Sequence, residues 1–87
     1  MQPYPQGQIS TRKAVLIFLK TVAPPLVLYV DNPEELYEEI KTLISKPLSA
    51  KLMEKAGKGP LKKFCVPENM IAGVAIQEEP QISTHSV

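Results

Sequence analysis

The side chains best suited to catalysis are one cysteine, Cys65, and one histidine, His85. A nucleophile needs a base within hydrogen-bond reach, and a structural zinc site needs four ligands. His85 lies in a polar C-terminal segment without apolar periodicity, whereas Cys65 stands between Phe64 and Val66 in a β-type run. We therefore expect a buried, unreactive cysteine. The sequence predicts no metal, no cofactor and no enzymatic activity, and it identifies no small-molecule substrate.

Two further patterns resemble ligand sites. Glutamates recur four residues apart at the start of a helical pattern, as the pairs Glu34–Glu38 and Glu35–Glu39. Such pairs can act as a carboxylate dyad or chelate a hard cation, but near a helix start they are more typical of a solvated face. Residues 57–59 read Gly-Lys-Gly, yet the Walker pattern needs four residues between its glycines and a Ser or Thr after its lysine. The sequence indicates a flexible turn there.

The third pattern is positive charge. Residues 41–63 hold seven lysines and one acid, whereas residues 31–39 hold five acids and no base. A basic hairpin beside an aromatic residue is one way to hold single-stranded nucleic acid. The candidate contacts on such a hairpin are Lys51, Lys55, Lys58, Lys62, Lys63 and Phe64. The chain has a net charge of only +1, no tryptophan and one arginine, so nucleic-acid binding stays the alternative interpretation.

The first half of the chain predicts two strands and a helix. Residues 12–21 carry apolar side chains on both sides of an alternating pattern, which indicates an interior strand. The Pro24-Pro25 pair must end that strand, since proline cannot donate a ladder hydrogen bond. Residues 26–30 predict its hairpin partner. An apolar stripe at helical spacing predicts a helix over residues 33–45 that faces the sheet; its members are Leu36, Ile40, Leu43 and Ile44.

The start and end of this helix carry specific signals. Asn32 is a suitable N-cap, Pro33 fits the first helical position, and Glu35 occupies the capping-box position. Lys46-Pro47 ends the helix, because a residue before proline is disfavoured in the α region.

The second half of the chain predicts three more strands. Residues 48–56 fit either a short helix or a strand leading into the turn at residues 57–60, and we favour the strand. Residues 61–66 are then its hairpin partner, and residues 71–77 predict a last strand in which Gly73 marks a bulge or a close backbone approach. The expected fold class is α+β, with the order β-β-α-β-β-β and a small, mostly antiparallel sheet packed on one helix.

Length and composition indicate one small domain. The chain has 87 residues, of which 44% are hydrophobic and 22% charged. We expect a domain over residues 12–79 between disordered tails at residues 1–11 and 80–87, which lack apolar periodicity. A membrane-spanning helix is not expected, because lysine and two prolines interrupt the longest apolar stretch. The single cysteine suits a reducing compartment, so we expect a cytoplasmic protein.

Residues 12–79 also carry a resemblance to a known family. Two stretches carry it. The first is the run Leu19-Lys20-Thr21, followed by the prolines, the Pro25-Leu26 step and Tyr29, and the second is the closing stretch FCVPENMIAGVAIQE at residues 64–78. In order and spacing they resemble an uncharacterised family of short cyanobacterial and plastid-encoded proteins. The glycine-rich, basic segment 57–60 departs from that family. The resemblance implies a photosynthetic prokaryote's cytosol or a stroma-like setting, and it implies no active site.

Two functions from different classes follow. The leading hypothesis is a protein–protein interaction or assembly module, which includes a homodimer. One helix covers about one face of a small sheet, yet the first strand is apolar on both faces. Exposed together, Val15, Ile17 and Leu19 would form an apolar patch of the kind that marks an interface. The alternative is a weak, sequence-tolerant nucleic-acid binder that uses the lysines of residues 51–63.

Overall fold

The first strand forms the centre of the larger of two antiparallel sheets. The computed structural model describes residues 9–47 and 49–82. Its elements are β1 (Ile9–Leu19), β2 (Leu26–Leu28), α1 (Pro33–Ile44), β3 (Leu52–Ala56), β4 (Lys63–Pro67) and β5 (Ile71–Ile82), with a 3-10 turn at Glu68–Met70. The larger sheet has the order β2-β1-β5 and the smaller one is the β3-β4 hairpin. The α+β class and the predicted element order are confirmed, and the five strands are divided between two sheets.

Strand β1 is interior, as its apolar residues on both sides predict. Its middle pairs with β2 on one side, with Val15 opposite Leu28. Its full length pairs with β5 on the other side, with Val15 opposite Ile76. The register shifts beyond Phe18, where Gly73 and then Ile71 are paired in succession. Ala72 is therefore an extra residue on β5, and the predicted irregularity next to Gly73 is a bulge.

Helix α1 packs on the sheet through its predicted stripe. Leu36 and Ile40 are buried, and Leu43 and Ile44 are partly buried against the same core. Asn32 is the N-cap residue, but its side chain makes no capping hydrogen bond. Instead its backbone carbonyl accepts from the Leu36 amide at 3.2 Å. The predicted side-chain cap is wrong, while the predicted helix is confirmed to within one residue.

Residues 52–67 form the second hairpin, and of the two interpretations of this part of the chain the strand is confirmed over Leu52–Ala56. Met53 lies opposite Val66, and Lys55 lies opposite Phe64. Met53 and Phe64 are buried, so this face of the hairpin completes the core. The core residues described are Val15, Ile17, Leu28, Leu36, Ile40, Met53, Phe64 and Ile71.

Strand β1 begins before the predicted residue 12 and ends at Leu19 instead of residue 21, and strand β5 continues beyond the predicted residue 77. Thr11 pairs with Pro80, and the ladder continues to Ile9 opposite Ile82. Assigning residues 9–11 and 80–82 to tails is therefore wrong. Backbone pairing extends beyond the apolar run that defined the predicted boundary. The remaining tail predictions, for residues 1–8 and 83–87, lie outside the described residues, as does His85. Within the described ranges, no helix is long and apolar enough to cross a membrane.

Candidate functional site

The predicted interface residues belong to the core. Val15 and Ile17 are fully buried, and Leu19 packs against them. The expectation that these three form a surface is wrong, because they belong to or pack against the core cluster, which also contains residues of α1 and of the second hairpin. Alternation showed which residues share a face, but it did not show which of two apolar faces receives the helix.

The opposite side of the sheet carries a second set of apolar residues, of which Phe18 is exposed and the others are partly buried. Leu16 lies between Val27 of β2 and Ala75 of β5, and Phe18 lies opposite Gly73. We call the surface formed by Leu16, Phe18, Val27 and Ala75 the open face. None of the four belongs to the core cluster, and Phe18 retains 38% of its exposure. The open face is therefore an apolar surface on the outside of the described fold.

One end of this side of the sheet is closed by a polar cluster. The Tyr29 hydroxyl donates to Glu79 Oε1 at 3.0 Å, and the Arg12 guanidinium carbon lies 4.0 Å from the centre of the Tyr29 ring. Arg12 Nε also lies 3.5 Å from Glu79 Oε1. Tyr29 follows β2 and Glu79 lies on β5, so the tyrosine side chain crosses β1. Ala14 lies on β1 beneath this crossing and is fully buried.

The turn between β3 and β4 supports Tyr29 from a second direction. The Lys58 amide donates to the Tyr29 carbonyl, and the two residues form an isolated bridge. Gly59 lies directly against the ring: a Cβ there would be 2.7 Å from Tyr29 Cδ2. The predicted flexible turn is thus a packed contact. It holds the Tyr29 ring at the polar end of the sheet.

The lysine cluster is partly neutralised. Lys55 Nζ lies 2.7 Å from Glu39 Oε2, and Lys58 Nζ lies 2.7 Å from Asp31 Oδ1. Phe64 is in the core, so it presents no ring on which a base could stack. Four of the candidate lysines are exposed, namely Lys58 within its ion pair and Lys51, Lys62 and Lys63. The combination of lysines with an adjacent aromatic residue, on which the nucleic-acid interpretation depended, is not formed.

Cys65 is exposed, so its predicted burial is wrong. Phe64 and Val66 point into the core, and alternation along β4 turns Cys65 to the outer face of the hairpin. There it lies opposite Glu54, and Leu52 nearby on that face is 63% exposed.

Three glutamates of α1 line an open groove between the helix and the segment that follows it. The groove encloses about 710 Å³, and its lining includes Glu35, Glu38 and Glu39 of the helix together with Lys51 and Glu68. The helix acids are engaged with lysines, Glu39 with Lys55 and Glu38 with Lys41 at 3.9 Å. The part of the chain that is described contains no group of three or more residues able to hold a metal ion.

Sequence reasoning did not find the open face or the Tyr29 cluster. The alternating residues of β1 did contain a signal for the open face, since Leu16 and Phe18 are as apolar as their neighbours. The cluster joins residues that are far apart in the chain, so only the strand register reveals it. The resemblance to cyanobacterial and plastid-encoded proteins stays a prediction. Comparisons with protein-family models, with curated proteins and with solved structures find no match for the chain.

Proposed function

We propose that this chain is a small non-catalytic protein–protein interaction module whose contact surface is the open face. The observation that carries the proposal is the exposure of Phe18 beside Leu16 and Val27 on a sheet whose other side already has its helix. Contiguous apolar surface on a small protein typically marks an interaction site. A partner layer on this face would bury Phe18 as α1 buries Ile17.

The surroundings of the open face support a directional contact. The Tyr29–Glu79–Arg12 cluster lies at one end of the sheet and provides charged and hydroxyl groups next to the apolar residues. An apolar centre with a polar margin is the usual composition of a protein interface. The polar end would set the orientation of a partner, and the apolar residues would supply most of the affinity.

The non-catalytic part of the proposal is supported by the placement of the reactive groups. Cys65 lies on the outer face of the hairpin, and Glu38 and Glu39 of the helix are engaged with lysines. A cytoplasmic location belongs to the same proposal. It is supported by the single cysteine of the chain, which has no intrachain partner for a disulfide.

The test compares Phe18→Glu with Val22→Glu. Val22 is fully exposed in the loop after β1, so its variant adds the same charge outside the open face. Each full-length protein is immobilised and exposed to nuclease-treated extract of the source organism. Burial of a phenylalanine contributes about 1.5–3 kcal/mol, so Phe18→Glu should weaken retention of a partner about tenfold or more. Val22→Glu should retain it like the unmodified chain.

Two outcomes would contradict the proposal. Equal retention by both variants would show that the open face makes no contact. Retention that occurs only in a parallel extract without nuclease, and that falls steeply with salt, would favour the lysines and nucleic acid, because release of counterions makes such binding salt-dependent. Far-UV circular dichroism of both variants checks that the fold is intact.

A further inference from the structure

Among the strands that the structure describes, none lies beside the outer edge of β5, which presents a long row of backbone groups. Strand β5 has 12 residues and pairs with β1, and it is the last strand in the order β2-β1-β5. In the described part of the chain no further strand is hydrogen-bonded to it. An edge of this kind presents N–H and C=O groups that can pair with another chain.

The first half of this edge lacks the usual protection against pairing. Residues 71–76 read IAGVAI, without charge or proline, and the sequence then changes to Gln-Glu-Glu-Pro at residues 77–80. Natural edges are normally blocked by charges, proline or short length. The opposite edge of the sheet has such protection, since β2 has only three residues and Tyr29 beyond it bonds to Lys58. The β5 edge is therefore specifically open.

We infer that the partner at this edge is a second copy of the chain, paired antiparallel through β5 about a two-fold axis at Ala75. The inference extends the proposed function, because it names one partner and its geometry. A two-fold interface must be self-complementary, and an uncharged run of small and β-branched residues meets that requirement. Main-chain hydrogen bonds supply the contact, as in other cases of strand addition.

The register follows from two boundaries on β5. The bulge at Ala72 interrupts regular pairing on one side, and the charges begin at Glu78 on the other. Between them, residues 73–77 form a regular segment centred on Ala75. With the axis there, Val74 lies opposite the second copy's Ile76, and Glu78 lies opposite its Ala72. An axis moved to Glu78 would instead place two glutamates opposite each other, which destabilises pairing.

This arrangement joins two three-stranded sheets into one of six strands. Both helices lie on the same side of the joined sheet, because rotation about a two-fold axis perpendicular to the sheet leaves each face pointing in the same direction in both copies. Ala75 belongs to the open face, so the two open faces become continuous across the axis. The dimer therefore doubles the apolar surface to which the proposed function is assigned.

Disulfide formation at the axis tests the geometry directly. Ala75→Cys is made together with Cys65→Ser, so that each chain carries one thiol. Directly opposite residues have Cα atoms about 4.5–5.5 Å apart, which lies within the range for a disulfide. Mild oxidation should convert most of this variant into a covalent dimer. The matched control is Gln77→Cys with Cys65→Ser, whose two cysteines would be about 13 Å apart along the strands and should not cross-link.

A charge-swap experiment tests the same contact without oxidation. Ala75→Lys and Ala75→Glu each place like charges across the axis, so each should lower the association constant at least tenfold in sedimentation equilibrium. An equimolar mixture of the two should dimerise again, because lysine then faces glutamate. Circular dichroism shows whether each charge variant folds. If one of them does not fold, the comparison of the two cysteine variants tests the β5 pairing by itself.

Several outcomes would overturn the inference. These are a monomeric mass for the unmodified chain at high micromolar concentration, equal cross-linking of both cysteine variants, or a mixture that stays monomeric. The proposed function survives these results if Phe18→Glu still abolishes retention of another protein. If the dimer forms and no Phe18-dependent contact exists, the proposed function fails while the β5 pairing stands.

Discussion

At the residue scale, one glycine and one tyrosine determine how the two sheets meet. Tyr29 bonds through its carbonyl to Lys58, through its hydroxyl to Glu79, and through its ring to Arg12. Gly59 makes the close approach to this ring possible, and its φ of +85° lies in the left-handed region. A side chain at position 59 would therefore conflict both with its own backbone and with the ring.

We expect Gly59→Ala to destabilise the fold by about 1–3 kcal/mol, the usual cost of a non-glycine residue in this conformation. The control is Gly73→Ala. A Cβ at Gly73 would lie 3.8 Å from Phe18 Cδ2, which is ordinary contact. It should change the free energy of unfolding by no more than about 1 kcal/mol, since removing a glycine also restricts the unfolded chain. Urea unfolding of both variants measures the difference; equal costs would mean that the contact with Tyr29 is not tight.

At the element scale, the single helix is the unit that decides which side of the sheet is the core. Its stripe was predictable because helical spacing with an adjacent Asn32-Pro33 start has few other interpretations. The strands were predictable from their alternation, but their faces were not. Strand β1 is apolar on both sides and β4 is nearly so. For each strand, the sequence alone is compatible with burial of either face. The errors at Val15, Ile17 and Cys65 all arise from this symmetry.

We expect Ile40→Ala to cost about 2–5 kcal/mol, because Ile40 is fully buried between helix and sheet and its truncation leaves a cavity. In a chain of this size, that corresponds to a fall in Tm of at least about 8 °C. Thr42→Ala is the matched control on the exposed side of the same helix and should shift stability by less than about 0.5 kcal/mol. Equal melting temperatures would contradict the assigned helix face.

At the scale of the whole molecule, the chain combines a layered core with a two-stranded extension. Around Val15 the sheet has three strands and is covered by α1, whereas residues 9–12 of β1 pair, among the described residues, with β5 alone. An exposed ion pair of 3.3 Å joins Glu34 of the helix to Lys13, the residue of β1 that follows this extension. Sequence patterns predicted the layered part and not the extension, because the extension is held by backbone pairing and its residues are mostly polar.

Amide hydrogen exchange should therefore divide β1 into two parts. A two-stranded ribbon is marginally stable in water, so amides at Thr11 and Arg12 should exchange through local opening. Amides at Val15 and Ile17 that bond within the sheet exchange only when a larger part of the fold opens. Their protection factors should therefore be at least about tenfold greater, which corresponds to a difference of about 1.4 kcal/mol in the free energy of opening. Heteronuclear NMR at low concentration measures both parts in one sample.

Ile40→Ala is the informative variant, since it should lower the protection of Val15 and Ile17 while the already rapid exchange at Thr11 and Arg12 changes little. Uniform protection along β1, or an equal loss at both ends, would show that the ribbon and the core unfold as one unit.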